Sequence, residues 1–172
     1  MLTRACFPSP FPFPSPLFFW SIIRVRSAGV GFAQSWSHDG GKSWLPASRS
    51  TVDGAASKPS LVSFVPAVAR GSNWPASGPH RVLVLAYNVV DRRRMALSTS
   101  RDGGNSWTYL ATLDNGTDHT SCYPTTIVVG EEVLTAWSAY FGGPAGESTG
   151  GAAAAAAAAP ANIRLARTAV PA

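Results

Sequence analysis

Arginine is the residue type with the clearest chemical potential in this 172-residue chain. The chain holds 14 Lys and Arg against 9 Asp and Glu, a formal net charge of +5, and three arginines are consecutive at Arg92–Arg94. A planar guanidinium binds a carboxylate through two parallel hydrogen bonds, so this cluster suits a ligand that carries a carboxylate. No nucleic-acid motif accompanies the cluster, and basic and aromatic residues do not alternate around it. We therefore expect no nucleic-acid partner.

The histidines and cysteines do not form a recognisable catalytic or metal-binding pattern. The three histidines are His38, His80 and His119. All three fall in predicted turns or loops, with no serine or carboxylate spaced to complete a triad, so we expect them to face solvent. Cys6 and Cys122 match no metal-ligand spacing and form no disulfide framework, although one disulfide between them is conceivable. No metal or cofactor is expected.

One eight-residue motif occurs twice, at 37–44 (SHDGGKSW) and 100–107 (SRDGGNSW), with its aspartates 63 residues apart. The shared positions are Ser37, Asp39, Gly41, Ser43 and Trp44 in the first copy and Ser100, Asp102, Gly104, Ser106 and Trp107 in the second. An aspartate at the head of a turn accepts backbone N–H bonds, and the glycines allow positive φ. The tryptophan can pack under the turn. Each copy therefore predicts a tight β-turn between antiparallel strands.

This motif is the Asp box, and from about Ile22 to Val170 the chain resembles the sialidase-like family of Asp-box (BNR-repeat) β-propellers. In that family the Asp box is structural and lies away from the substrate. The resemblance therefore implies that Asp39 and Asp102 fix turns and do not catalyse. It also implies an exo-α-sialidase type of glycoside hydrolase, whose partner is an acidic sugar or glycan.

The resemblance assigns candidate site residues. Sialidases bind the sugar carboxylate with three arginines and use a tyrosine nucleophile, activated by a glutamate, with an aspartate as general acid. Tyr123, in the segment SCYPT, resembles the family nucleophile. Arg26 resembles the second arginine of the triad. One of Arg92, Arg93 and Arg94 resembles the third, and Arg92 is the first choice.

Each candidate also has a structural alternative. Arg26 would then be a solvated arginine at a strand end, and the three consecutive arginines a solvated hairpin tip. Tyr123 would be a buried tyrosine at the start of a core strand. Arg164 and Arg167 are expected at the edge of the last strand, without a role in the site.

Three parts of the family's machinery have no counterpart in the sequence. The first arginine and the general-acid aspartate belong to early blades, which no segment resembles. The activating glutamate belongs on the strand before Arg26, where the chain has a Pro-rich stretch without acidic residues. A tyrosine without its base is a poor nucleophile. We therefore expect an incomplete, inactive sialidase-like chain, and the alternative is a non-catalytic Asp-box propeller module that binds glycans or proteins.

Composition and length predict the fold class. With 45% hydrophobic and 13% charged residues, 16 Gly and 14 Pro, the chain suits a turn-rich all-β protein. A propeller blade has four strands and takes about 40–50 residues, so the chain supplies about three blades. We predict an all-β partial propeller of the six-bladed sialidase type, corresponding to its second half. Such a half-ring would leave blade faces exposed.

The chain divides into a leader and a propeller. Residues 1–16 form a Pro-rich leader, because prolines at every second position from Pro8 break the apolar helix that a signal peptide needs. Secretion stays an alternative, so the compartment is undecided. Residues 17–172 form the propeller, with a low-complexity insertion at 141–160, and no apolar run is long enough to span a bilayer. The predicted strands are Leu17–Arg26, Val30–Trp36, Pro59–Val68, Arg81–Asn88, Met95–Thr99, Trp107–Leu113, Tyr123–Val129, Glu132–Tyr140 and Asn162–Val170.

Overall fold

The computed structural model describes residues 3–6, 19–24, 31–52, 54, 57–66, 81–89, 92–141 and 161–170. All regular elements within these residues are β-strands, which confirms the predicted all-β class. The strands are β1 (Thr3–Cys6), β2 (Phe19–Arg24), β3 (Phe32–Ser37), β4 (Ser48–Arg49), β5 (Ser60–Phe64), β6 (Val82–Asn88), β7 (Arg94–Ser100), β8 (Thr108–Asn115), β9 (His119–Val129), β10 (Glu132–Phe141) and β11 (Ala161–Ala169). The described part of the chain holds no helix that could cross a membrane.

The strands form three antiparallel sheets that follow one another along the chain. The sheets are β1–β4, β5–β8 and β9–β11, and each strand pairs with its neighbour in sequence. The first strand of each sheet lies innermost, since β1 contacts β5 and β5 contacts β9. Three meander sheets stacked through their inner strands are consecutive blades of a β-propeller. The predicted three-blade partial propeller is therefore confirmed.

The second blade carries the core because it is covered on both faces. Towards the first blade, Tyr87 meets Phe32 edge-on, with ring centroids 6.1 Å apart. Towards the third blade, Val84 and Leu97 belong to a buried cluster that includes Val133. All seven residues of β6 are buried as a result. This two-sided burial explains why β6 reads as a continuous apolar run instead of an alternating pattern.

The connections between strands define two ends of the blade stack. The turns at 38–47, 101–107 and 130–131, including both Asp boxes, lie at one end, which we call the Asp-box end. The opposite end, the loop end, carries the β6–β7 turn, the β8–β9 connection and the start of β9. Because antiparallel strands alternate in direction, Arg92–Arg94 and Tyr123 all lie at the loop end.

Two short strands were not predicted, and one begins earlier than predicted. β1 lies within the segment assigned to the leader and pairs with β2, from Thr3 opposite Ile22 to Cys6 opposite Phe19. β4 has two residues. β9 begins at His119 instead of Tyr123. The rest of the leader, the loop at 71–80 and the alanine tract lie outside the described residues.

One face of the third blade is apolar and exposed. Ile163 and Leu165 on β11 are 74% and 62% exposed, and Ile127 on β9 is 53% exposed. The opposite face of the same blade packs on the second blade through Val133. The exposed face thus corresponds to the blade surface that the sequence predicts a half-ring would leave uncovered.

Candidate functional site

The second Asp box is held together by the carboxylate of Asp102. Its Oδ1 accepts hydrogen bonds from Ser100 Oγ at 2.8 Å and from the Ser106 backbone N–H at 2.9 Å, and its Oδ2 accepts one from Ser106 Oγ at 2.5 Å. Ser100 Oγ in turn accepts the Gly104 N–H at 2.9 Å. All three hydrogen bonds to the carboxylate therefore come from residues of its own turn.

The first Asp box repeats this geometry residue by residue. Asp39 accepts hydrogen bonds from Ser37 Oγ at 2.8 Å, from the Ser43 N–H at 2.8 Å and from Ser43 Oγ at 2.6 Å. Ser37 Oγ accepts the Gly41 N–H at 2.8 Å. Trp44 Nε1 donates to the Gly41 carbonyl at 3.2 Å. Sequence copies of this motif thus produce structural copies.

Glycine and tryptophan complete each turn. Gly41 and Gly104 have φ of 86° and 91°, a region that disfavours residues with a Cβ. Trp107 Nε1 donates to the Gly104 carbonyl at 3.2 Å, and its ring packs against the core between the first two blades. Trp36 Nε1 donates to the Gly103 carbonyl at 3.3 Å, so the second Asp box is also tied to the first blade.

Both Asp-box carboxylates are held in the ionised form. Burial alone would raise the pKa of Asp102, but hydrogen bonds from Ser106 and Ser100 outweigh it and lower that pKa below its usual value. The pKa of Asp39 is lowered far below its usual value, first by Ser43 and then by Ser37. A general acid needs a proton to give near neutral pH, so this chemistry fits turn fixing and not catalysis.

Tyr123 occupies a strained bulge at the loop end. Ser138 pairs with Cys122 and Ala136 with Thr125, so Tyr123 and Pro124 together face one residue of β10. Tyr123 has φ of 55°, the only positive value among the described non-glycine residues. Its side chain is 44% exposed, so the alternative of a buried core tyrosine is wrong. Left-handed backbone at an aromatic residue costs about 1–3 kcal/mol and persists where the surroundings enforce it.

The β6–β7 turn brings Arg92 to the same corner. The Ser121 N–H donates to the Arg92 carbonyl at 2.5 Å. Burial raises the pKa of the Cys122 thiol, while the charge on Arg92 and a hydrogen bond from it oppose that rise, so the guanidinium lies at Cys122. The structure therefore brings Arg92 next to the segment that carries Tyr123.

The other candidate arginines have different surroundings. Arg93 and Arg94 are exposed like Arg92, but their carbonyls accept hydrogen bonds from the Gly116 N–H at 3.0 Å and the Val89 N–H at 3.1 Å. Arg26 lies outside the described residues. The alternative that the three arginines form a solvated hairpin tip thus agrees with their exposure, but it does not account for the contact between Arg92 and Cys122.

Sequence reasoning missed a buried carboxylate beside this corner. Asp114, at the end of β8, has a side chain only 4% exposed. Its Oδ2 accepts hydrogen bonds from Ser121 Oγ at 2.7 Å, Trp137 Nε1 at 2.9 Å and His119 Nε2 at 2.9 Å. Its Oδ1 accepts one from Arg164 Nη1 at 3.2 Å. Four strands therefore meet at one carboxylate.

The prediction of a solvent-facing His119 is wrong, because the residue is only 6% exposed. Its Nδ1 lies 2.7 Å from Asp118 Oδ1, and its ring stacks at a tilt on Phe141 with centroids 5.0 Å apart. A Cβ at Gly116 would lie 2.5 Å from the imidazole, so glycine is required there. Had β9 been extended to His119, period-two alternation would have placed His119 and Ser121 on one face.

Both arginines of β11 lie on an edge strand, as expected, but Arg164 also contacts the buried carboxylate. Arg164 bonds to Asp114, and its guanidinium carbon lies 5.7 Å from the Phe141 ring centroid. Arg167 forms a half-exposed ion pair with Glu132. Surface ion pairs of this kind contribute little stability. Among the residues that the structure describes, no group of three or more metal-ligating side chains clusters.

Comparison with solved structures shows the same fold in two sugar-processing enzymes. An α-L-arabinofuranosidase from Fusarium graminearum, solved as a point mutant with an iminosugar inhibitor, matches with a TM-score of 0.51 and 15% identity over 80% of this chain and 40% of its own. A Penicillium chrysogenum α-L-arabinanase in complex with arabinobiose matches with a TM-score of 0.51 and 18% identity over 80% of this chain and 41% of its own. At these identities the likeness shows the fold alone. This chain spans about 40% of the length of each.

Sequence comparison identifies the family. No curated protein sequence matches the chain. The profile of the BNR repeat-like domain matches residues 2–135, well over half of the 172 residues, and includes both Asp boxes. With three stacked blades and two Asp-box turns that share the same hydrogen bonds, this chain belongs to the family of BNR repeat-like domains.

Proposed function

We propose that this chain forms the sugar-binding part of a glycoside hydrolase-like propeller, with the sugar at the loop end beside Tyr123 and Arg92. The observation that carries this proposal is the exposed Tyr123, held at φ of 55° next to the segment that Arg92 contacts. Exposed aromatic rings offer an apolar face with a polar tip, which suits the two sides of a sugar. Strained backbone concentrates at functional sites.

The finer proposal is an acidic sugar, as in exo-α-sialidases. Among the described residues at the loop end the carboxylates are Asp114, which is buried and fully bonded, and Asp118, which is bonded to His119. Hydrolysis of a neutral glycoside usually employs two carboxylates that flank the bond. A tyrosine beside an arginine instead suits a substrate that carries its own carboxylate. The arabinose-processing enzymes with the same fold make a neutral pentose the competing ligand.

We further propose that the isolated chain binds the sugar without hydrolysing it. Within the described residues, no carboxylate or imidazole is hydrogen-bonded to the hydroxyl of Tyr123. A tyrosine needs an adjacent base to act as a nucleophile, and the leaving group needs a proton donor. The same observation favours the second candidate function, a non-catalytic glycan-binding module.

The test is calorimetric titration of the 172-residue chain with N-acetylneuraminic acid, its neutral methyl ester and arabinobiose. Arg92→Met keeps the apolar stem and removes the charge, and Arg101→Met removes an equal charge at the Asp-box end as the matched control. We expect the wild-type chain to bind the acid. The wild type should bind the ester about fivefold more weakly than the acid, and Arg92→Met should bind the acid about fivefold more weakly than the wild type does, since one solvent-exposed ion pair contributes about 1 kcal/mol.

Arg101→Met should bind like the wild type. Tighter binding of arabinobiose than of the acid would overturn the acidic sugar, and failure of all three ligands to bind would overturn sugar binding. Fluorogenic sialosides and arabinofuranosides test catalysis, and turnover of either by the isolated chain would contradict binding without hydrolysis.

A further inference from the structure

Both ring nitrogens of His119 face carboxylate oxygens. Nε2 lies 2.9 Å from Asp114 Oδ2 and Nδ1 lies 2.7 Å from Asp118 Oδ1. A neutral imidazole has one N–H donor, so it would point a lone pair at one of these carboxylates. Only the doubly protonated ring can donate to both. The geometry therefore requires a cationic His119 between two anions.

The charges around this ring balance only while His119 is protonated. Asp114 faces it from β8, Asp118 from the β8–β9 connection, and Arg164 reaches Asp114 from β11. On β10, Phe141 and Trp137 supply an aromatic wall and a neutral donor. Loss of one proton leaves two carboxylates against one guanidinium. This is costly at the buried member of the group, because the Asp114 side chain is only 4% exposed and would face a neutral imidazole.

This cluster is joined to the Tyr123 corner through Ser121. Ser121 Oγ donates to Asp114 at 2.7 Å, its N–H donates to the Arg92 carbonyl at 2.5 Å, and its carbonyl accepts from Asn88 Nδ2 at 2.9 Å. The three polar atoms of Ser121 are therefore all hydrogen-bonded, and Ser121 lies two positions before the strained Tyr123. A tyrosine with left-handed backbone angles keeps that conformation only when neighbouring residues are held firmly in place.

We propose that Asp114 and His119 position the loop-end sugar site, and that deprotonation of His119 loosens the segment from Ser121 to Tyr123 and weakens sugar binding. This inference rests on the proposed function for its sugar readout. His119 acts through Ser121 and not by touching the sugar. The site is then intact while His119 is protonated and both carboxylates are ionised, and it is weakened once His119 has lost its proton.

The direction of the pH dependence follows from the paired groups. Hydrogen bonds to Asp118 and then to Asp114 raise the pKa of His119 above its usual 6.5. The stabilisation is therefore complete below pH 6.5 and is lost as pH rises through the higher folded value. The pKa values of Asp114 and Asp118 are lowered, so both stay ionised over that range and their contribution is lost only in acid below 3.8.

The first measurement is the titration of the His119 ring nitrogens by NMR, with the amide signals of 121–123 followed in the same samples. We expect a doubly protonated ring at pH 6, and amide shifts that move with its midpoint. In parallel, the affinity for N-acetylneuraminic acid should fall by about threefold or more across that midpoint. The proposal would be overturned by a ring that is neutral at pH 6, or by amide shifts of 121–123 that do not change as the ring titrates.

Three variants separate positioning from folding. His119→Gln should bind more weakly at pH 6 and lose the pH dependence, whereas His38→Gln, an exposed histidine at the Asp-box end, should keep the wild-type profile. Asp118→Asn alters a carboxylate that is 72% exposed, so it should fold normally and move the midpoint to lower pH. An unmoved midpoint in Asp118→Asn would overturn the proposal even if His119→Gln fails to fold.

The two proposals fail in distinguishable ways. If no sugar binds at any pH while the amides of 121–123 still follow His119, the proposed function is wrong and the positioning role stands. If the sugar binds with an affinity that does not change across the His119 midpoint, the proposed function stands and the positioning role is wrong.

Discussion

Replacing Asp102 with alanine should destabilise the propeller without affecting the loop end. The substitution removes the acceptor of three hydrogen bonds, from Ser100 Oγ, the Ser106 N–H and Ser106 Oγ. Ser100 Oγ keeps its bond from the Gly104 N–H, so the turn loses its brace and not its whole network. The direct effect is confined to the Asp-box end of the second blade.

The magnitude follows from the number and exposure of these bonds. A hydrogen bond to a charged group contributes about 1.5–3 kcal/mol when it is shielded from water. Asp102 is exposed, so water replaces part of the loss, and the sum is reduced to about 2 kcal/mol. For a chain of this length that corresponds to a fall in Tm of about 4–8 °C.

The assay is thermal and urea unfolding at pH 7, followed by circular dichroism. Lys42→Ala, an exposed change in the turn of the other Asp box, is the control and should stay within about 0.5 kcal/mol of the wild type. Because the pKa of Asp102 is lowered in the fold, its contribution is present above 3.8 and is lost as pH falls through the folded value. The difference in unfolding free energy between Asp102→Ala and the wild type should therefore disappear in acid. An unchanged Tm with reduced sugar binding would refute the turn-fixing role.

Two further predictions concern β9. Tyr123→Gly should be more stable than Tyr123→Val by about 1–2 kcal/mol in urea unfolding, because a β-branched residue at φ of 55° is strained. Equal stabilities of the two variants would contradict the left-handed backbone at this position. In a Cys6→Ser background, Cys122 should react with a disulfide reagent at least about a hundredfold more slowly when folded than in urea, because burial raises the pKa of its thiol. Rapid labelling of the folded chain would contradict that burial.

The sequence predicted those parts of the fold whose causes are local. An Asp box needs a carboxylate, a hydroxyl and glycines within eight residues, so both turns are encoded where they form. β6 and β7 carry apolar patterns that burial between blades explains. β1 and β4 have no such pattern, because each is short and is defined by pairing with a neighbouring strand.

The site was predictable only in part, for the same reason. Resemblance of short segments made Tyr123 and Arg92 candidates, but the contact of Arg92 with the segment that carries Tyr123 depends on the hydrogen bond from the Ser121 N–H to the β6–β7 turn. The partners of Asp114 come from β9, β10 and β11, and Arg164 is 50 residues away from it in sequence. Apart from the alternation of His119 and Ser121 along β9, polar residues brought together from different strands by blade packing leave no signal in the sequence, so this cluster was missed.

The most direct test of the loop-end sugar site is an NMR titration of the ¹⁵N-labelled chain with N-acetylneuraminic acid. We predict saturable amide shifts confined to residues 92–94 and 119–123. Shifts centred on the Asp-box turns at 37–44 and 100–107, or no shifts at saturating sugar, would contradict a sugar site at the loop end.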